Sequence, residues 1–133
     1  MELSANMEDY LETIYLLKKE KGYVRLKELA SCLKVKLSSA SDAVKKLTNK
    51  ELLEHKRYGQ IIMTKKGEEI AKRIYTIHTI LTKFLSDILK VENDIAKKDA
   101  CKIEHVISKT TLNKLKDFIK LKNGDTINKF GYR

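Results

Sequence analysis

The chain has 133 residues and a mass of 15.4 kDa, which suits one compact domain or two very small ones sharing a core. Its composition, 42% hydrophobic and 35% charged, excludes a disordered polymer and a membrane-embedded protein. An excess of 28 basic over 18 acidic residues gives a net charge of +10, which makes a polyanion the first partner to consider.

No apolar run approaches the ~20 residues of a membrane span, and Met1-Glu2-Leu3 is not expected to open a signal peptide. Two cysteines, Cys32 and Cys101, exclude a disulfide framework and point to a reducing cytoplasm. The absence of proline, with only five glycines, argues against an all-β fold built on tight turns. Charge is unevenly spread. Residues 1–33 carry five basic and six acidic side chains, whereas residues 34–73 carry eleven and five. The positive field therefore begins at Lys34.

In chain order, Met7, Tyr10, Leu11, Ile14 and Leu17 recur at helical spacing and predict a helix from about Ala5 to Lys21, stopped by Gly22. Asp9 and Glu12, three residues apart, project as neighbours on its other face. Tyr23-Val24-Arg25-Leu26 reads as a short strand or extended lead-in to a helix over Lys27–Leu33. After a turn at 34–37, Ser38 offers an N-cap for a helix to about Lys50, with Ala40, Ala43, Val44 and Leu47 inward. Two short helices joined by a tight turn make a helix-turn-helix.

Residues 52–56 and 60–64 predict a hairpin whose tip, Arg57-Tyr58-Gly59, is basic and aromatic. A helix-turn-helix followed by a basic hairpin is a winged helix. Thr64 caps a long helix from about Lys65 to Leu89, with an apolar stripe longer than that domain needs for its own core. Further helices are expected from Asn93 to about Ile107, and from Ser108 or Thr110 through Ile119. The tail from Asn123 to Arg133 is expected to be loosely ordered. The fold expected is mainly α: a winged helix-turn-helix over 1–64 with a two-stranded wing, then a helical domain over 65–133 whose long connecting helix suits dimerisation.

The sharpest chemical signal is Cys101-Lys102-Ile103-Glu104-His105. On a helix, positions i, i+3 and i+4 share a face, so a thiol, a carboxylate and an imidazole would point together and suit a divalent transition metal. The alternative for this triplet is a buried thiol beside a solvated Glu-His pair. His78 lies inside the apolar stripe of the long helix, between Ile74 and Leu81, where a solvated histidine is not expected. Asp9 and Glu12, His78, and Cys101, Glu104 and His105 thus offer donors from three helices, which favours a metal site.

On the basic segment, Ser38, Ser39 and Ser41 open the expected recognition helix, where small hydroxyl side chains let the backbone approach a major groove. Lys36, Lys45 and Lys46 are placed to meet phosphates. At least one of the serines is expected to cap the helix. Asp42 either accepts from a cytosine amine or points away. Lys56, Arg57 and Tyr58 would lie along the wing, beside an exposed His55. Cys32, Tyr23 and Met63 read as core.

Several stretches resemble the metal-dependent repressors of the diphtheria toxin repressor type. They are Glu8-Asp9-Tyr10-Leu11-Glu12-Thr13-Ile14-Tyr15, the helix-turn-helix, Met63-Thr64-Lys65-Lys66-Gly67, His78, and the run from Asp99 to Ser108. The likeness extends from about residue 6 to 120, and the chain stops where larger iron-dependent members continue into an SH3-like domain, as in the short manganese transport regulators. The resemblance implies that Cys101, Glu104 and His105 match iron-type ligands, whereas manganese-type members carry a carboxylate where Cys101 stands. Asp9, Glu12 and His78 match the manganese-type pattern. Thr82 and Lys97 stand where the ancillary iron-type site needs acidic and histidine ligands, so that site is expected to be absent in that form.

The function so implied is a metal-dependent transcriptional repressor, not an enzyme. It would be a homodimer on a pseudo-palindromic double-stranded DNA operator, activated by Fe2+ or Mn2+ with the Cys101 thiolate tilting preference to Fe2+. A winged-helix regulator answering to another ligand is the alternative. A small metallo-hydrolase built on Cys101, Glu104 and His105 is disfavoured, because no nucleophile–base pair stands outside the ligand set.

Overall fold

The structure, a computed structural model, describes residues 3–55 and 59–124. Contacts divide the chain into two compact units, Met1–Tyr75 and Thr76–Arg133.

The first unit opens with α1 (Ala5–Lys21). The Ser4 hydroxyl accepts from the Met7 amide at 3.1 Å, and Gly22 closes the helix in the left-handed region, φ 86°, donating to the Lys18 carbonyl. Tyr10, Leu11, Ile14 and Leu17 are buried, as their spacing predicts. Helix α2 (Leu26–Leu33) and α3 (Leu37–Asn49) form the helix-turn-helix, joined through Lys34 at φ 57°. Ala40, Ala43, Val44 and Leu47 face the core.

The hairpin β1 (Leu53–His55) and β2 (Ile61–Met63) is antiparallel, with Leu53 opposite Met63 and His55 opposite Ile61. Arg25 bridges Gln60, and the Ile61 amide donates to the Val24 carbonyl at 2.8 Å, so the segment before α2 joins the sheet edge. Leu11, Ile14, Leu29, Leu47, Leu52 and Leu53 are essentially removed from water. Each such side chain contributes about 1.5–3 kcal/mol. Thr64 fastens the wing: its hydroxyl donates to the Glu51 carbonyl at 2.8 Å and accepts from the Gly67 amide at 3.0 Å, capping α4 (Lys65–Lys83) as expected. The α4 backbone comes so near the Leu52 carbonyl at Gly67 that no β-carbon fits there.

In the second unit, the later turns of α4 run into a π-helical turn over Phe84–Ile88, closed by the Leu89 amide on the Phe84 carbonyl. The long helix is therefore present, but its last turn is widened. Helices α5 (Asn93–Ile103) and α6 (Lys109–Gly124) follow, with Leu81, Ala96, Ala100 and Leu112 buried and the rings of Phe84 and Phe118 edge to face at 6.3 Å. The Ser108 hydroxyl accepts from the Thr111 amide, capping α6.

Four expectations are corrected. Tyr23 is 43% exposed rather than core: in an extended segment neighbours point to opposite sides, and since Val24 points in, Tyr23 and Arg25 point out. Cys32 is exposed, because the inward stripe of α2 runs through Leu26, Leu29, Ala30 and Leu33 and position 32 falls off its edge. Helix α3 begins at Leu37, with extended Lys36 as N-cap, so Ser38 sits inside the first turn and no side chain caps the helix. Helix α5 ends at Ile103 rather than near Ile107, since the chain tightens into a turn at 104–106 ahead of the Ser108 cap. Of the expected tail, 123–124 close α6, and 125–133 lie outside the described residues.

Candidate metal centre and nucleic-acid interface

Among the described residues, the buried polar or charged side chains are two glutamates, one in each unit: Glu12 on α1 and Glu104 just past α5. A buried carboxylate is costly unless it is neutralised or its oxygens are bonded.

The Glu104 side chain is 1% exposed. Its Oε1 lies 2.8 Å from Nδ1 of His78, which α4 presents from its apolar stripe. Its Oε2 is buried and has no hydrogen-bond partner; Nε2 of His105 lies 3.8 Å away, beyond hydrogen-bond reach. The Thr82 hydroxyl lies 3.5 Å from His78 Nε2 on the ring's far side. One donor atom each from His78, Cys101 and Glu104 lie within 4.8 Å of one another.

The end of α5 produces this convergence. Cys101 is in the last helical turn, Glu104 is its C-cap with helical dihedrals, and His105 enters the turn. Although the helix ends early, the first residues beyond it keep helical geometry, so thiol and carboxylate still face one way. Metal–donor bonds of about 2.0–2.3 Å put donors on opposite sides of an ion roughly 4–4.6 Å apart, comparable with the spread seen here. The Glu104 carboxylate with its unsatisfied oxygen, the His78 imidazole and the Cys101 thiol form a donor set that fits a divalent transition metal, and the His105 imidazole approaches the same carboxylate from its free oxygen. Cys101 is exposed, so that part of the group is open to solvent. On α1, Asp9 is half-buried and Glu12 buried.

On α3, Lys36, Ser38, Ser39, Asp42, Lys45 and Lys46 are exposed and Ser41 is half-buried, opposite the buried face of Ala40, Ala43, Val44 and Leu47. With no hydroxyl engaged in capping, the serines at its head are available to a ligand. His55 is exposed on β1. Lys56, Arg57 and Tyr58 lie outside the described residues. Two residues missed from the sequence join this surface: Val35 and Leu37, 37% and 54% exposed, flank Lys36 at the head of the helix. Helical spacing gave no signal for Leu37, which stands three residues before the inward Ala40 and is exposed only because it opens the helix.

Known proteins resemble both parts of the chain. Residues 2–61 match the family model of the iron dependent repressor, N-terminal DNA binding domain, and residues 64–123 that of the iron dependent repressor, metal binding and dimerisation domain. The HTH-type transcriptional regulator MntR of Shouchella clausii is 39% identical over 114 residues, covering 86% of this chain and 79% of the relative. MntR of Bacillus subtilis is 37% identical, covering 86% and 80%. Among solved structures, the manganese regulator SloR is 29% identical with a TM-score of 0.77, covering 89% of this chain and 55% of that one. T. acidophilum IdeR, at 24% identity, has a TM-score of 0.78 and covers 92% and 56%, a likeness of fold. This chain spans little more than half the length of those solved chains. No helix among the described residues is long and apolar enough to cross a membrane.

Proposed function

We propose, starting from a chain that belongs to the iron dependent repressor family of metal-dependent, DNA-binding transcriptional regulators, that its ion is held by His78, Cys101, Glu104 and His105, with Asp9 and Glu12 as further ligands. The observation that carries this reading is the buried Oε2 of Glu104, which has no hydrogen-bond partner, on a carboxylate that gathers the His78 imidazole and the Cys101 thiol within 4.8 Å.

A bound divalent ion supplies the positive charge that offsets the mutual repulsion of Asp9, Glu12 and Glu104. The residues do the rest. Without it the carboxylates repel one another and loosen the arrangement; with their charge neutralised, α1 is tied to the second half of the chain, and the DNA-competent state is selected. Coupling of a few kcal/mol suffices, because each ~1.4 kcal/mol changes DNA affinity tenfold. The site is a switch rather than a catalytic centre. The functional boundary falls after Thr64, with reading by 1–64 and metal binding and dimerisation by 65–133.

Exposed Leu89, Ile95, Val106 and Leu121 in the second unit supply apolar surface for a homodimer. Its two-fold symmetry implies a pseudo-palindromic operator, read by Ser38, Ser39 and Ser41, with Lys36, Lys45 and Lys46, and the wing residues Lys56, Arg57 and Tyr58, on phosphates. The activator is Fe2+ or Mn2+ acting in the cytoplasm. Glu104, Asp9 and Glu12 supply the hard oxygen donors that suit Mn2+, and the likeness to the manganese regulator SloR accords with it. The thiolate of Cys101 tilts the balance toward Fe2+.

The test is anaerobic metal titration with element-specific analysis. Stoichiometric uptake of Fe2+ and Mn2+, lost in Glu104→Ala, is the expected result; uptake unchanged in that variant removes Glu104 from the site.

A further inference from the structure

Tyr23 and Arg25 flank a buried Val24 and both project to solvent. The Arg25 guanidinium lies over the Tyr23 ring, 5.3 Å from its centroid. Arg25 is also the N-cap of α2, and its backbone bridges Gln60 at the edge of the wing. One planar cation is thus held at the junction of the first helix of the helix-turn-helix and the wing.

No ion pair holds it among the described residues, although its charge is felt by the nearby Glu28 carboxylate. The nearby acid is Glu28, and both its oxygens are engaged: Oε1 by the Arg25 backbone amide at 3.3 Å and Oε2 by the Lys21 ammonium at 3.1 Å. Among the described residues no carboxylate forms an ion pair with the Arg25 guanidinium. Lys27, in the first turn of α2, is exposed as well. An unpaired guanidinium stacked on an exposed aromatic ring is pre-oriented, so it loses little freedom when it meets an anion.

We infer that Arg25 is a DNA-phosphate contact outside the recognition helix, with Tyr23 as the residue that positions it. This rests on the DNA-binding reading above. In a helix-turn-helix the second helix enters the major groove while the first crosses the phosphate backbone, and helix N-termini join Arg and Lys in binding phosphate. Arg25 stands at that N-terminus, and its planar fork suits a phosphate better than an ammonium does. The contact carries no sequence information; it fixes the register of the reading head.

The experiment measures binding of the metal-loaded full chain to a mixed-sequence DNA duplex across a range of salt concentrations. Arg25→Gln should weaken binding about three- to tenfold and flatten the salt dependence by about one unit, the signature of one lost phosphate contact. Tyr23→Ala should weaken binding while keeping the wild-type salt slope, because the charge remains and only its placement is lost. Tyr23→Phe, which keeps the ring, should restore wild-type affinity. Thermal melts and metal uptake of each variant confirm that fold and metal site are intact. Arg25→Gln with wild-type affinity and slope overturns the inference, as does Tyr23→Ala with wild-type affinity. Failure of the wild-type protein itself to bind any duplex with metal would instead overturn the DNA-binding reading.

Discussion

Nδ1 of His78 and Oε1 of Glu104 lie 2.8 Å apart, joining the later part of α4 to the end of α5, while the second oxygen of the same carboxylate is buried without a hydrogen bond. The pair is half satisfied, and a half-satisfied buried carboxylate costs about 1–3 kcal/mol or more. That cost is what a cation would relieve.

Replacing Glu104 by glutamine therefore has opposite effects in the two states. Without metal, removing a buried charge should leave thermal stability unchanged or raise it. With metal, the stabilisation by Fe2+ or Mn2+ should vanish. Changing even residues that only support a metal ligand costs about 10- to 100-fold in affinity, so loss of Glu104 or His105 as ligand should cost at least that. Melting curves with and without metal, with circular dichroism to show that helical content persists, check both.

The DNA face separates into two kinds of residue. Lys45→Ala or Lys46→Ala should weaken binding to all duplexes alike and reduce the salt slope by about one unit. Changes at Ser38 or Ser39 should alter sequence preference instead, as measured by selection from a randomised duplex pool. Identical behaviour of the two classes would mean that the head of α3 does not read bases.

Much of this was legible from periodicity. The boundaries of α1, the inward face of α3, the hairpin, the Thr64 cap and the place of His78 in an apolar stripe all follow from spacing and capping chemistry. What the chain did not disclose is side-chain direction where few neighbours constrain it. Tyr23 is a large apolar ring, yet the alternation set by buried Val24 turns it outward. Ser38 has the right chemistry for a cap, but the helix starts two residues earlier than a Ser38 cap would set it, with extended Lys36 in the N-cap position. The burial of Glu12 was likewise not to be found in helical phase, which set it opposite the stripe of Tyr10, Leu11, Ile14 and Leu17.

The exposed ion pair of Lys21 and Glu28 gives a small pH dependence. The hydrogen bond from Lys21 holds the Glu28 carboxyl below the ordinary glutamate range, and the same bond raises the Lys21 ammonium. The contribution through Glu28 is present above the ordinary glutamate range and lost as the pH falls through the lowered value; that through Lys21 is lost only as the pH rises through the raised one. NMR titration of Glu28 should show an acid-shifted midpoint that moves back up in Lys21→Ala.

Gly67 is required by contact rather than by torsion. A β-carbon there would collide with the Leu52 carbonyl, so Gly67→Ala must shift α4 or the corner before β1. The expected loss is about 1–3 kcal/mol in denaturant unfolding.

The metal preference proposed for Cys101 is open to a direct substitution test. Cys101→Glu replaces a soft donor by a hard one and should move the ratio of Fe2+ to Mn2+ activation toward Mn2+. Anaerobic DNA affinity against free metal for both proteins gives that ratio; an unchanged value would show that Cys101 does not set selectivity.

The most direct test of the central claim is the DNA affinity of the wild-type chain as free Fe2+ or Mn2+ is titrated from full chelation to saturation, anaerobically. The account predicts weak binding under chelation and at least a tenfold gain on saturation, corresponding to ~1.4 kcal/mol of coupling or more. Equal affinity with and without metal would contradict it.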